Sequence, residues 1–541
     1  MAEISKPKLY TSGKSARQEE LEDLYQKTNP NLEDSDEAYA EEPEEAKVGI
    51  SELVRRRKLP LGRLKSQPDK VALHPLPPMS DEETYNVWGF LSEMGSGKST
   101  LVRSHIYYYH HIDDCLQFIF DPMRLEYATL AVAKNTAKKR QHLLNDLIYD
   151  DEDGEYFKAE VEPDKLPVRH VIPRFAMFQR EWNYEEKRYE LKVDRNSMNI
   201  VKRDGGVIFA EDAAYLSPEQ IFFALNYADL KGSKTVKMYL KTAVNVCRQR
   251  YGTDWFIQDL IEILKSNVKN YFDSTTKKEY DQISSGDDKS KLSKDEMDLI
   301  ERLESYDEVG FFVRDQKERE MYNHDLRKII KKKRDDNTPN KIFNFSFLAF
   351  RRGEELGKNA IVGQTELILQ RLNTIAAEFS EAKRNEENGI ELTNWQKFLL
   401  KRWRVCLWFE ESEIFAPRDI IEKTVTKYPT ARLMEDFMSV GRKMGFKCFG
   451  FITQRTAKLA AFIFSQVNCA WLGSITGEER DNLLQNLALN KEKFGMAKVN
   501  NQDVSMRDII STLDKNKHEW VFIDKNKGRI RVVRTFDSPC G

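Results

Sequence analysis

Ser92-Glu-Met-Gly-Ser-Gly-Lys-Ser-Thr100 follows directly on an apolar run, Asn86 to Leu91, and leads into a helical stretch beginning Leu101-Val-Arg. A strand, a glycine-rich turn and a helix in that order make a cradle for phosphate oxygens. Gly95 and Gly97 let the backbone turn sharply, so that the N–H groups from Gly95 and Ser96 to Thr100 converge on an anion, and the helix adds its positive end. In such a P-loop Lys98 reaches the β- and γ-phosphates of ATP and Ser99 offers a hydroxyl to Mg²⁺. The pattern expects Gly at its first position, where this chain has Ser92, but the turn itself, Gly-Ser-Gly-Lys, is intact.

A phosphate cradle does chemistry only beside an acid. Arg404-Val-Cys-Leu-Trp-Phe-Glu-Glu supplies an apolar run that ends in two carboxylates. Glu410 is the candidate to bind the water shell of Mg²⁺, and Glu411 the candidate to orient or deprotonate the attacking water. Without the P-loop, an ordinary buried strand with exposed acids at its end would be the simpler account. Cys448-Phe-Gly-Phe-Ile-Thr-Gln ends a further apolar run in Gln454, a candidate sensor of the γ-phosphate. More than 300 residues separate Lys98 from Glu411, so the fold must bring them together.

The elements able to do so are short. Candidate strands are Asn86 to Leu91, Leu116 to Phe120, Val207 to Ala210, Ile342 to Phe345, Val405 to Phe409, Cys448 to Thr453 and Ala470 to Ser474, alternating with helical patterns as in an α/β protein on a mostly parallel sheet. A helix from about Ala360 to Phe379 carries Ile361, Ile368, Leu372, Ile375 and Phe379 on one face, which should pack on the sheet. Trp520 to Ile523 and Arg529 to Val533 read as a closing hairpin.

Eight acidic residues between Glu33 and Glu45, with no Lys or Arg among them, predict a disordered tail. The basic run Arg55 to Lys65 and the prolines 75, 77 and 78 extend it as a linker over residues 1–80. The folded unit is then 81–541, with a large, charged, mainly helical insertion over about 131–340. That insertion holds the densest basic cluster of the body, Arg327 to Arg334, for which a solvated helix end is the simpler reading against a polymer contact. At 541 residues the chain exceeds one ordinary core, and its 40% hydrophobic and 32% charged residues suit a globular protein with a heavily solvated surface.

A formal net charge of −2 does not announce a nucleic-acid binder, so any DNA contact must be local. The six cysteines lack C-x-x-C spacing and read as reduced core thiols. His105, His110 and His111 cluster on a helical stretch, where a chance cluster is a simpler reading than a metal site, and carry no assigned role. There is no apolar run of the ~18 residues a membrane span needs and no apolar signal segment at the start, which predicts a cytoplasmic protein.

Several motifs resemble one family. Glu410-Glu-Ser-Glu-Ile-Phe-Ala-Pro417 is similar to the E-E-A-H-x-F-x-P passage of HerA-type ATPases, and Gly441-Arg-Lys-Met-Gly-Phe with Ile452-Thr-Gln-Arg455 is similar to the R-x-x-G-I and A-T-Q-R passages of FtsK-type translocases. Phe118-Ile-Phe-Asp-Pro with Glu126-Tyr127 resembles the D-P-x-x-E-Y segment of HerA and conjugation ATPases, and Gln466 to Trp471 is similar to the segment ending in the next FtsK strand. The resemblance covers about 86–127 and 342–474. It implies a RecA-like P-loop NTPase core, ATP and Mg²⁺ held between subunits of a hexameric homo-oligomer, and hydrolysis used to move double-stranded DNA. Ser412 and Glu413 stand where the family has Ala and His, and Cys469 to Leu472 lacks the arginine of FtsK-type proteins. Arg442 and Arg455 are the arginine-finger candidates by position, with Arg480 a third.

The resemblance therefore implies a DNA-translocating motor for genome packaging or for DNA processing and transfer, with a capsid or a membrane complex as a further partner and a virion-associated location if viral. A secretion or pilus-assembly ATPase of the same superfamily is the alternative. A terminase-like packaging motor is another, although only about 130 residues follow Glu411 and most are claimed by core strands, leaving little room for a nuclease domain. A scaffold that binds ATP without turnover is the non-catalytic alternative.

Overall fold

Apolar runs of five or six residues cannot cover both faces of a strand unless the strand is buried in a sheet. In the computed structural model of the protein all seven of those named above are such strands. It describes residues 50–76, 85–122, 127–133, 141–150, 154–184, 188–193, 206–225, 233–266, 268–283, 292–322, 325–331, 340–347, 355–418, 429–488, 496–499 and 502–540. In chain order the strands are β1 (Lys58–Leu64), β2 (Val71–Pro75), β3 (Asn86–Leu91), β4 (Leu116–Asp121), β5 (Asn145–Asp150), β6 (Glu155–Glu160), β7 (Val168–Pro173), β8 (Phe178–Asn183), β9 (Arg188–Val193), β10 (Val207–Phe209), β11 (Ile342–Ser346), β12 (Val405–Phe409), β13 (Phe446–Thr453), β14 (Cys469–Leu472), β15 (Met496–Val499), β16 (Gln502–Ser505), β17 (Glu519–Asp524) and β18 (Arg529–Arg534).

Twelve of them form one sheet in the order β10-β7-β11-β4-β12-β13-β3-β14-β17-β18-β1-β2. From β10 to β14 every neighbouring pair is parallel, and from β14 to β2 every pair is antiparallel. The parallel part is RecA-like in its strand order: β3, which leads into the glycine-rich loop, and the acidic strand β12 are separated by the single strand β13. Ligand-binding groups in such sheets gather beyond the carboxyl ends of the strands.

The register that aligns those ends is set by phenylalanines. Phe345, Phe120, Phe409 and Phe451 are matched residues on β11, β4, β12 and β13. Their rings stack face to face across the sheet, with centroids 5.5, 5.0 and 5.7 Å apart and planes within 9° of parallel. Each stacked pair contributes about 0.5–1.5 kcal/mol beyond its burial, and a slip of one residue would turn the whole ladder to the opposite face. Glu410 follows this ladder directly.

The helix Glu355–Glu387 contains the expected apolar face. Ile361, Ile368, Leu372, Ile375 and Phe379 are buried in the same core as Phe343 and Phe345 of β11. The β17–β18 hairpin also forms, closed at its turn by Lys527 N–H on the Asp524 carboxylate at 3.0 Å.

Two parts of the chain depart from expectation. Residues 50–76, read as part of a disordered tail and linker, form a helix (Ser51–Arg56) and the sheet-edge strands β1 and β2. Four of their basic residues pair with acids far along the chain, Arg57 with Asp113 at 2.5 Å, Lys58 with Asp150 at 3.4 Å, Arg63 with Asp146 at 2.7 Å and Lys65 with Glu519 at 2.6 Å, while Arg55 and Arg56 pair with Glu52 of their own helix. Partners so distant in sequence leave no local pattern. The acidic segment Glu33 to Glu45 and the prolines 77 and 78 lie outside the described residues.

The region 131–340, expected to be mainly helical, contributes β7 to the main sheet beside the expected strand β10, and two hairpins of its own, β5–β6 and β8–β9, besides its helices. β7 escapes an apolar-run reading because Arg169 and His170 interrupt it. His170 is fully buried and paired with Asn344 of the neighbouring β11 at 3.3 Å. In the basic cluster, Arg327 pairs with Glu378, and residues 332–334 lie outside the described residues.

Candidate active site

The P-loop is built against buried strand β3. Gly95 and Gly97 have φ of 79° and 85°, backbone that residues with a Cβ rarely adopt, and the helix Lys98–Asp113 starts at once. Its N-cap, Gly97, has no side chain to cap the helix, and the first turn contains no acid. The N–H groups of a helix's first turn have no carbonyl partner within the helix, so this end is prepared for an anion supplied from outside. Lys98 is buried, with its ammonium donating to the Ser92 carbonyl at 3.0 Å across the loop.

The departure at Ser92 has a structural account. Its hydroxyl is 2.5 Å from that of Ser96, tying the first and fifth loop residues. The room for its side chain comes from Gly473, where a Cβ would lie 2.5 Å from that of Ser92.

At the end of β12 the Glu410 N–H donates to the Phe120 carbonyl at 3.0 Å, and the carboxylate accepts the Tyr127 hydroxyl at 2.6 Å. Both side chains are buried. The next residue, Glu411, has φ 47° and ψ 53°, a left-handed conformation that is strained for a residue with a Cβ and concentrates at functional sites. The twist aims its carboxyl toward β13, where Gln454 Nε2 donates to it at 2.8 Å.

Two residues stitch this turn in place. The Ser412 hydroxyl donates to Phe409 O at 2.7 Å and accepts from Ile452 N–H at 2.9 Å, and the Glu413 carboxylate accepts the Thr453 hydroxyl at 2.7 Å. Ser412 and Glu413, which stand where the resembled family has Ala and His, thus bind the end of β12 to that of β13.

Burial raises the pKa of Glu411 to about 7, helped by the charge of and hydrogen bond to Glu413, while the Lys98 ammonium and the Arg455 guanidinium pull it down. Residues 98, 411 and 455 therefore share one electrostatic neighbourhood. Ser99 sits in the first turn of the P-loop helix, and Glu410 and Ser99 are the residues whose chemistry suits a hard divalent cation through its waters.

The arginine candidates separate. Arg455 is exposed and close enough to act on Glu411 of its own chain. Arg480 is engaged internally, with Ser511 at 2.5 Å and Asp481 at 3.2 Å. The side chain of Arg442 lies outside the described residues.

His105 is a core residue. Trp471 Nε1 donates to its Nε2 at 3.1 Å, its Nδ1 meets Leu101 O at 2.9 Å, and burial lowers its pKa to about 3. All six cysteines are buried thiols. Among the described residues no helix is long and apolar enough to cross a membrane.

Sequence reasoning missed Tyr127 as the partner of Glu410, although the Glu126-Tyr127 pair was the available signal. It also missed the stitching by Ser412, Glu413 and Thr453, which needs the register of two strands to be known.

No protein-family model matches the sequence, and no curated protein matches it. Among solved structures the chain is similar to the plasmid coupling protein TrwB in complex with a non-hydrolysable GTP analogue, at 10% identity and TM-score 0.43 over 91% of this chain and 92% of that one. It is similar to VirB4 of Thermoanaerobacter pseudethanolicus, at 12% identity and TM-score 0.47 over 89% and 97%. A shorter overlap, 26% of this chain and 55% of the other at 14% identity and TM-score 0.19, is with the genome packaging NTPase B204 from Sulfolobus turreted icosahedral virus 2 in complex with ATP-gammaS. These likenesses are of shape at most, and the RecA-like core of this chain is defined by its own strand order and phosphate loop.

Proposed function

We propose that the chain is an ATP-hydrolysing motor that moves double-stranded DNA through a ring of its own copies, in genome packaging or in DNA processing and transfer. One observation carries the catalytic half of this reading. Glu411, just beyond β12, accepts a hydrogen bond from Gln454, just beyond β13, and β13 is the single strand between β12 and β3, from whose following helix the Lys98 ammonium acts on Glu411. The polymer and the ring rest on the resemblance of Glu410 to Pro417 and Gly441 to Arg455 to HerA- and FtsK-type proteins.

In this reading the N–H groups of residues 95–100 and the Lys98 ammonium bind the phosphates of ATP. Ser99 and Glu410 are the residues that would hold Mg²⁺, the latter through water, and the ion, when bound, screens phosphate charge and polarises the terminal phosphoryl group. Tyr127 fixes the Glu410 carboxylate. Glu411 accepts a proton from the attacking water, and Gln454 orients the Glu411 carboxyl and reports on the γ-phosphate. Arg455, on the same face, stabilises charge near Glu411.

Duplex DNA is expected to raise the ATPase rate of the purified chain several-fold, measured by phosphate release with and without a linear duplex. A wild-type rate indifferent to duplex would refute the translocase, while leaving the hydrolase standing.

A further inference from the structure

The turn that leads into β17 reaches back over the phosphate loop. A Cβ at Gly97 would lie 2.7 Å from His518 Nδ1, so the imidazole rests on the loop residue ahead of Lys98. Three residues earlier, the Lys515 ammonium is 2.5 Å from the carboxylate of Glu93, the second residue of the loop, and each of these side chains is about one-third exposed, at 37% and 35%.

The turn is rigidly made. Asp514 accepts from Asn516 N–H at 3.0 Å, and His518, at φ 50°, closes the turn by donating its N–H to Lys515 O at 3.1 Å, its own carbonyl accepting Thr535 N–H at 3.1 Å. Buried Glu519 then ties it down, taking Asp514 N–H at 3.1 Å, Lys65 at 2.6 Å and Arg534 at 3.1 Å.

We propose that Lys515 is a second phosphate-binding cation of this site, carried to the P-loop by the turn Asp514–His518 and contacting the phosphate tail of a bound nucleoside triphosphate. The proposal rests on the nucleotide reading of the loop.

Glu93 does not need Lys515 to keep its place, because its other oxygen accepts both the Thr476 N–H at 2.9 Å and the Thr476 hydroxyl at 2.8 Å. An ion pair this exposed contributes little by itself. A polyanion seated in the loop offers Lys515 a larger charge than one carboxylate does. An acid on a phosphate-binding loop also repels its ligand, and a lysine within reach of both groups offsets that repulsion.

The competing role is a mask for the charge of Glu93, and a double substitution separates the two. The measurement is calorimetric titration of the full chain with a non-hydrolysable ATP analogue and Mg²⁺, for wild type, Lys515→Ala, Glu93→Gln, the double variant and Lys98→Ala, each first checked for an unchanged thermal midpoint. Loss of a charged hydrogen bond weakens binding by about tenfold. Lys515→Ala is expected to show that loss, Glu93→Gln to bind at least as tightly as wild type, and the double variant to remain about tenfold weak. Recovery of wild-type affinity in the double variant would reduce Lys515 to a mask and overturn the proposal. Wild-type affinity in Lys515→Ala beside weak binding in Lys98→Ala would overturn it too, with the P-loop reading intact. A folded wild type that binds no analogue would remove both.

Discussion

Glu411→Gln lowers the ATP turnover number by about 10²–10⁴-fold, the usual contribution of a positioned general base, and leaves binding of a non-hydrolysable triphosphate within a few-fold of wild type. The substitution is close to isosteric. The side-chain oxygen that accepts Gln454 Nε2 at 2.8 Å remains, as do the bonds of Ser412 to Phe409 and of Glu413 to Thr453 that stitch the turn, the altered contact being the one between residue 411 and Glu413. What disappears is the capacity to take a proton from water. Single-turnover hydrolysis and analogue titration on the same preparation check this result. Equal loss of binding and turnover would mean that Glu411 holds the loop and not the water.

Trp408→Ala lowers stability by about 3–5 kcal/mol, the usual cost of emptying a large buried aromatic site, out of a total of roughly 5–15 kcal/mol for a folded domain. Trp408 is fully buried on β12, and its indole N–H donates to Gln117 Oε1 of β4 at 2.9 Å. Gln117 in turn donates to Ile106 O of the P-loop helix at 2.8 Å. The ring packs edge-on to Tyr109 of that helix, with centroids 5.9 Å apart. One truncation therefore opens a cavity and leaves the side-chain oxygen of Gln117 without its donor, cutting the tie from the acidic strand to the helix behind the P-loop. A denaturant midpoint unchanged from wild type would contradict this account of the core.

The strands that bear the site were legible because each is a short apolar run ending in a residue with unusual chemistry, as Val405 to Phe409 ends in Glu410 and Phe446 to Thr453 in Gln454. Buried parallel strands leave that signature in sequence. The edge strands do not. β1 and β2 carry Lys58, Arg63 and His74, whose partners are Asp150, Asp146 and Asp524, and no local pattern announces a pairing over such distances.

β7 was hidden in the same way by His170. The candidate site was readable at the level of residue types, since Lys98 opens the helix that follows β3 and Glu410, Glu411 and Gln454 fall just beyond the ends of β12 and β13. Its second layer was not. The Tyr127 contact to Glu410, the left-handed turn at Glu411 and the approach of Lys515 to Glu93 all depend on strand register and on contacts between distant parts of the chain.

The most direct test of one active centre made from Lys98 and the carboxylates of β12 is steady-state ATP hydrolysis by the full wild-type chain beside Lys98→Ala. Loss of a preorganised charge contact of this kind costs about 10²–10³-fold in rate, so the variant is predicted to fall to near background while wild type turns over. Equal rates in the two proteins, or no Mg²⁺-dependent hydrolysis by a folded wild type, would contradict the assignment.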